Sequence, residues 1–446
     1  MASSSTGFLA LVLLALWSVE GQAQSASQPS SQAPAHRHSA AHAAAPAKGA
    51  PAKGAAIGAS VEELLAIVRT MNPELAASAL EAEAAAARAE GADALPDPKF
   101  QVRFEDIPRT PGGAPRPRIN TYKFSVQQDF PLWGKRGLKR EVAEAESRQA
   151  EGRTAALLAE LTLRVKTTYA EYHQIHLASD QTDEVLKVVR TLGQFAQVRY
   201  AQGLGLQQDV ISAESERAVM SSEKIRLDGD RRRARARLNT LLGRSADGAL
   251  VETPRPRPIP KSFDYQDLLE RAIAANPLLR IEQAKIQAAD HTRTLADRSW
   301  YPDVGVSLGA VQRGGTIESY EAMLEVNVPL QWGLRQSQQR EAAAMAGAAR
   351  SKLETVRLQV ESDLREAVIG LETASGMAKV LQDTAIPQAR LAVSSAFKSY
   401  ETGLGEVTPI LDGVQRLKRV FVELLKVQFE QQARLAEIER LIGGEL

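Results

Sequence analysis

Residues 134–200 read GKRGLKREVAEAESRQAEGRTAALLAELTLRVKTTYAEYHQIHLASDQTDEVLKVVRTLGQFAQVRY, 67 residues with no proline and four glycines, Gly134, Gly137, Gly152 and Gly193. Apolar side chains recur at Leu158, Leu161, Val165, Tyr169 and Tyr172, in steps of 3, 4, 4 and 3. That spacing places them on one stripe of an α-helix and comes close to an undecad repeat. At about 1.5 Å per residue, one helix here is roughly 100 Å long. Ordinary globular helices stop near about 20 residues, so a rod of this length implies a function exerted across distance.

Working outward, Pro131-Leu-Trp-Gly-Lys-Arg136 turns the chain into the rod and Tyr200-Ala-Gln-Gly-Leu-Gly205 breaks it. Gln207–Leu242 is the expected return helix, stopped by Gly243. On the other side, Phe100, Val102 and Phe104 alternate with Lys99, Gln101, Arg103 and Glu105; Tyr122, Phe124 and Val126 alternate with Thr121, Lys123, Ser125 and Gln127. This period of two predicts two strands of about ten residues joined across the Pro/Gly loop Pro108–Pro117. Before them, Ser60 and Glu63 form a capping box that starts a helix expected over Val61–Ala92.

The same order then recurs at an offset of about 200 residues. Asn72-Pro73 returns as Asn276-Pro277, Pro96-Asp97 as Pro302-Asp303, and Pro131-Leu-Trp-Gly134 as Pro329-Leu-Gln-Trp-Gly333. The strands return around Val304–Leu308 and Tyr320–Val328, the tip as Tyr400-Glu-Thr-Gly-Leu-Gly405, and the stop as Gly443. The chain is therefore read as a duplication, residues 60–243 and 264–446, joined by a Pro-rich linker, 244–263. In each half two shorter helices match one long helix in length: Val61–Ala92 with Gln207–Leu242, and Asp264–Ser299 with Val407–Ile442. Pro387 falls inside the second long helix, Leu334–Tyr400, and is expected to kink it.

One chain thus owns four alternating strands of the length a tilted transmembrane strand requires. An open sheet cannot stand in lipid, because unpaired edge groups cost several kcal/mol each. Four strands do not close a barrel, so membrane insertion demands oligomerisation. A dimer gives eight strands, whose interior fills with side chains; a trimer gives twelve and room for a channel. The argument favours the trimer.

Composition excludes much else. The chain has no cysteine, so disulfides, thiolate metal sites and cysteine catalysis are out. A net charge of +1 provides no global attraction to nucleic acid. No phosphate loop, dinucleotide fingerprint or nucleophile motif occurs; the expectation is no enzyme and no cofactor. Phe8–Trp17 is an apolar run too short to span a bilayer, and residues 1–23 read as a secretory signal peptide. Residues 24–59 are low-complexity Ala/Pro/Ser sequence, expected disordered, and contain His36, His38 and His42, a weak candidate for loose metal binding.

Hairpin, P-x-x-G turn, long helix, Y-x-x-G-L-G tip and return helix, all duplicated, resemble the TolC-like outer-membrane factors over about Val61–Gly443. The segments Phe104-Glu-Asp-Ile-Pro108 and Phe130–Arg136 look most like the cation-efflux branch, CzcC- and CusC-like. The resemblance implies a mainly α fold: a homotrimer with a 12-strand β-barrel in outer-membrane lipid, continued by a periplasmic α-barrel that docks on a periplasmic adaptor and an inner-membrane RND-type pump. It makes Tyr200, Gly203, Leu204, Gly205, Tyr400, Gly403, Leu404 and Gly405 the adaptor-docking tips. Family members carry acidic rings at the closed entrance. Asp412 matches one such position, whereas Pro409 stands at the other, so Glu406 and Asp209, the counterpart of Pro409 in the first half, complete the candidate gate.

The expected function is the exit duct of a tripartite efflux system for heavy-metal cations. Two alternatives stay open on sequence alone: a duct for drugs, solvents or peptides, and a periplasmic helical scaffold whose strands avoid lipid. His173 and His176 have a workable ligand spacing but read as ordinary helix-face residues. The basic run Arg231–Arg237 reads as a solvated face paired with acidic neighbours. Trp133, Trp300, Tyr301 and Trp332 flank the strand ends as an interfacial belt or as packing.

Overall fold

A computed structural model describes residues 57–58, 60–105, 121–251, 256–260 and 263–446. The chain runs α1 (Val61–Met71), α2 (Pro73–Gly91), β1 (Lys99–Glu105), β2 (Thr121–Phe130), α3 (Lys135–Ala201) and α4 (Gln207–Leu241). The second half repeats this order as α5 (Tyr265–Ala275), α6 (Pro277–Arg298), β3 (Asp303–Arg313), β4 (Thr316–Asn327), α7 (Trp332–Val380), a π-helical turn (Leu381–Ala385), α8 (Ile386–Glu401) and α9 (Val407–Ile442). The signal-peptide reading, His36, His38 and His42, and the segment 106–120 fall outside the described residues.

α3 is the uninterrupted rod its sequence predicts, 67 residues long. The helices expected over Val61–Ala92 and Asp264–Ser299 are instead each two. Asn72 and Asn276 take extended backbone conformations, ψ 120° and 124°, because a following proline disfavours the helical region. Each asparagine then holds two helix ends. Asn72 Oδ1 accepts the Leu75 N–H at 3.0 Å while its amide donates to the Leu241 carbonyl at 2.8 Å. Asn276 repeats this with Leu278 N–H at 2.9 Å and the Leu441 carbonyl at 2.9 Å. The return helices therefore abut the α1–α2 and α5–α6 junctions. Gly243 closes the first joint at φ +68°, where a Cβ would lie 2.5 Å from the Met71 carbonyl oxygen.

Pro387 is absorbed without ending the helix. It offers no N–H to the preceding turn, and the backbone widens just ahead of it, with Ile386 N–H donating to Leu381 O, five residues back.

The four strands form one antiparallel sheet in the order β1-β2-β3-β4. Phe100 pairs with Val126, Val126 with Leu308, and Val306 with Leu324, so one face is mainly apolar, with Gln128 and Gln312 as its polar members. The other face carries charge: Lys99 meets Asp129 at 2.7 Å, and Lys123 bridges Glu105 at 3.2 Å and Glu321 at 3.0 Å. No helix of the described residues is long and apolar enough to cross a membrane. The cores are helical. α1, α3 and the end of α4 enclose Leu64, Val68, Leu161 and Leu238; α5, α7 and the end of α9 enclose Leu268, Leu364, Leu371 and Ile438 in the same manner.

Candidate functional site

The two tips share a backbone plan. Gly203 and Gly403 adopt φ +73° and +79°, conformations that a Cβ opposes. Leu204 N–H returns to Arg199 O at 2.9 Å and Leu404 N–H to Ser399 O at 3.0 Å. Gly205 and Gly405 answer a different need, close approach. A Cβ at either would meet the preceding helix end at 3.1 Å. Leu204 and Leu404 project into solvent.

The tyrosines part company. Tyr200 is 48% exposed; Tyr400 is 2% exposed, enclosed by Val189, Leu192, Ala213 and Ile410, with its ring edge-on to Phe195 at 5.8 Å. The Arg199 guanidinium sits 4.8 Å from the Tyr400 ring centre, donates to the Tyr400 carbonyl, and donates to Leu204 O at 3.1 Å. The Tyr400 hydroxyl reaches Asp209 Oδ2 at 3.5 Å. Burial, and then the Asp209 carboxylate, hold the phenol above its ordinary pKa. Arg199 and Asp209 thus fasten the second tip to the first. Higher up, the Gln415 amide donates to Glu216 Oε2 at 3.1 Å across the α4–α9 contact.

Of the candidate gate residues, Asp209 is half-buried at this joint, while Glu406, the N-cap of α9, and Asp412 are exposed. Neither Glu406 nor Asp412 has an ion-pair partner among the described residues. His173 is half-buried, and burial, then His176, hold its pKa below the ordinary value. No group of three or more His, Cys, Asp or Glu among the described residues is arranged to hold a metal. The arginine run pairs with acids as expected, Arg231 and Arg232 with Asp228 at 2.9 and 3.1 Å and Arg237 with Glu171 at 2.7 Å.

At the opposite end, the Pro131–Arg136 turn grips the start of β3. The Trp133 indole donates to Pro302 O at 2.7 Å and packs on Tyr301 at 5.1 Å between centroids. Lys135 donates to Tyr301 O at 2.8 Å and Asp303 Oδ1 at 2.9 Å. These contacts join the two halves where strands give way to helices.

The sequence profile described as Outer membrane efflux protein matches residues 64–244 and 268–444, both repeats nearly end to end. The chain belongs to the outer membrane efflux protein family. It is 30% identical over 317 residues to the nickel-cobalt-cadmium resistance protein NccC of Alcaligenes xylosoxydans xylosoxydans, covering 67% of each chain. Its fold is that of the outer-membrane channel OprN, with a TM-score of 0.76 at 20% identity over 86% of this chain and 90% of that one. It is equally that of CusC, with a TM-score of 0.73 at 14% identity over 90% and 99%. As an efflux-family member with a channel fold, the chain is mainly helical with a small four-stranded sheet, as its sequence suggested.

Sequence reasoning missed Arg199, although the signal was present. Where the first half has Arg199 and Asp209, the second has Ser399 and Pro409. It also missed a buried ion cluster in mid-rod. The Lys166 ammonium, its side chain 3% exposed, meets Glu439 Oε2 at 2.9 Å, and Arg257 from the inter-repeat linker meets the same oxygen at 2.7 Å. These three residues lie far apart in sequence, and only the fold brings them together.

Proposed function

We propose that the protein is the outer-membrane exit duct of a tripartite, RND-type efflux system that expels heavy-metal cations. The observation that carries this reading is the sheet. Its apolar face is exposed, with Phe100, Leu308, Leu324 and Tyr320 outward, while its other face is charged and the edge strands β1 and β4 each lack a second neighbour among the described residues. An apolar outer face suits lipid, a charged inner face suits a wet lumen, and open edges require further copies. Three copies give twelve strands, and the helical hairpins then continue the duct into the periplasm.

In this reading residues 1–23 direct export and 24–59 form a tether. The exposed tips, led by Leu204 and Leu404, dock on a periplasmic adaptor, and an inner-membrane pump supplies the energy. Asp412, Glu406 and Asp209 form the entrance gate, where three-fold symmetry brings like charges together and favours cations. The metal cargo is supported by the resistance relative NccC. The duct needs no covalent chemistry of its own.

The test is metal tolerance of a deletion strain across nickel, cobalt, cadmium, zinc, copper and silver, beside dyes and antibiotics. Sensitivity confined to nickel, cobalt or cadmium is the expected result. Sensitivity to dyes and antibiotics alone would sink the metal cargo and leave the duct.

A further inference from the structure

The two long rods differ by one residue, and their buried faces locate the difference. Ser147, Leu161, Val165, Tyr169 and Tyr172 of α3 are buried, and so are Ala346, Val360, Leu364, Val368 and Leu371 of α7, each pair 199 positions apart. Past the π-helical turn the spacing changes. Buried Leu186 and Val189 match buried Ile386 and Ala389 of α8, and Gly203 matches Gly403 at the tips, all 200 apart. Neither spacing serves the other stretch. At 200, Val360 and Leu364 would fall on Glu160 and Arg164; at 199, Ile386 and Ala389 would fall on Lys187 and Arg190. The second rod therefore carries one residue more than the first, gained between Leu371 and Ile386.

The apolar stripe narrows this further. It descends through Leu371, Ala374, Ala378 and Leu381, then Ile386, Ala389, Val393, Ala396 and Tyr400. Every step is the three or four residues of a helix face except the one from Leu381 to Ile386, which is five. An α-helix turns about 100° per residue, so a surplus residue in regular helix would swing everything below it by that angle. A turn with hydrogen bonds five residues apart takes up one additional residue without that swing. Such a turn spans Leu381–Ala385, with Ile386 N–H on Leu381 O. Ala378 above it and Ile386 below it consequently face one cluster, with Leu424 and Val427 of α9.

We propose that Leu381–Ala385 holds a one-residue insertion carried only by the second repeat, and that this turn sets the rotation of α8 so that Tyr400 arrives between Arg199 and Asp209. The setting operates within one chain, whether or not copies assemble into a duct.

The packing below the turn leaves little latitude. α8 lies close against α9 at Gly413, where a Cβ would meet Val393 Cγ2 at 3.2 Å and Val393 Cα at 3.5 Å. Rotating α8 by about 100° would bring a different side chain into that gap and turn the Tyr400 ring away from Phe195. Pro387 is the second residue of α8. In a regular helix its ring would clash with the Asp383 carbonyl, four residues back, and the widened turn relieves that clash. The proline thus favours the wide turn at this level of the rod. The first repeat has Lys187 there, in unbroken α-helix.

Absence of native cysteine makes the rotation of α8 readable in the full-length chain. Val393→Cys with Gly413→Cys is expected to form an intrachain disulfide, and Ser394→Cys with Gly413→Cys to form at least about tenfold less. The decisive variant deletes Thr384 and carries Pro387→Ala, which takes out the surplus residue and permits a regular helix. In that shortened chain the Val393 pair should still dominate, and amide protection over Lys398–Leu404 should stay within about twofold of wild type. Deleting Glu184, the counterpart of Thr384 in α3, removes a residue that the first rod cannot spare. Protection from Leu186 to Leu204 should then fall at least about tenfold. A move of cross-linking to the Ser394 pair in the shortened chain would overturn the insertion, as would protection lost there as fully as in the Glu184 deletion. Equal tolerance of the two deletions would overturn it as well.

Discussion

Tyr200 and Tyr400 end equivalent helices one repeat apart, on turns with the same left-handed glycine and the same tight second glycine. Yet one ring stands in solvent and the other is enclosed. The difference lies in their neighbours. Tyr400 receives a guanidinium from Arg199 and a carboxylate from Asp209, both contributed by the first repeat. The positions that could return the favour to Tyr200 hold Ser399 and Pro409, which offer neither a guanidinium to lie over the ring nor a carboxylate to accept from the phenol. Duplication has conserved a turn and divided the labour. The first tip is the support, and the second is the part held in place. In the proposed duct, a fastened element beside its support is where movement at the entrance is expected.

The largest expected effect that sharpens this contrast is truncation. Tyr400→Ala removes a fully enclosed ring and should cost about 3–5 kcal/mol locally, raising amide exchange through both tips. Tyr200→Ala should stay within about 0.5 kcal/mol. Equal effects, read by hydrogen–deuterium exchange, would erase the distinction between the tips. Next, Arg199→Met keeps an apolar stem beside the ring but loses the stacking cation and both carbonyl contacts, and should loosen the second tip by about 1–3 kcal/mol. The first turn retains its own Leu204–Arg199 backbone hydrogen bond, so exchange should rise mainly around Thr402–Glu406.

The smallest effect is a pH dependence. The Tyr400 phenol has its pKa raised by burial and Asp209, so its contribution to stability is complete below the unfolded value near about 10 and is lost as pH rises through the folded value. Tip protection, corrected for the base-catalysed rise in intrinsic exchange, should therefore fall above about pH 10 in the wild type and not in Tyr400→Phe. Parallel curves for the two proteins would remove the phenol from the joint.

How legible the molecule was in its sequence follows from where each feature stores its information. α3 was legible because a rod is specified locally, by the apolar stripe and the missing prolines. The tips and strands were legible because glycine spacing and a period of two are also local. The helix breaks at Asn72 and Asn276 were misread because the helical pattern resumes in phase on both sides. An Asn-Pro step can kink a helix or cap a new one, and the Leu241 and Leu441 carbonyls that decide for capping come from more than 160 residues away. Pro387 was recognised as a perturbation, but whether a helix bends or widens depends on packing around it. The Lys166–Glu439–Arg257 cluster left no sequence pattern at all. By contrast, the role of Arg199 was readable by laying the two tips side by side and asking what differs.

The central proposal is that the chain, assembled, makes a pore whose entrance is held closed in part through the Arg199–Tyr400–Asp209 joint. Single-channel recording of the purified full-length protein in planar lipid bilayers, beside Arg199→Met, tests it most directly. The account predicts insertion of both proteins, small or rare conductance steps for the wild type, and larger, longer openings for the variant. Failure of either protein to form any channel, with the helical fold intact by circular dichroism, would contradict it.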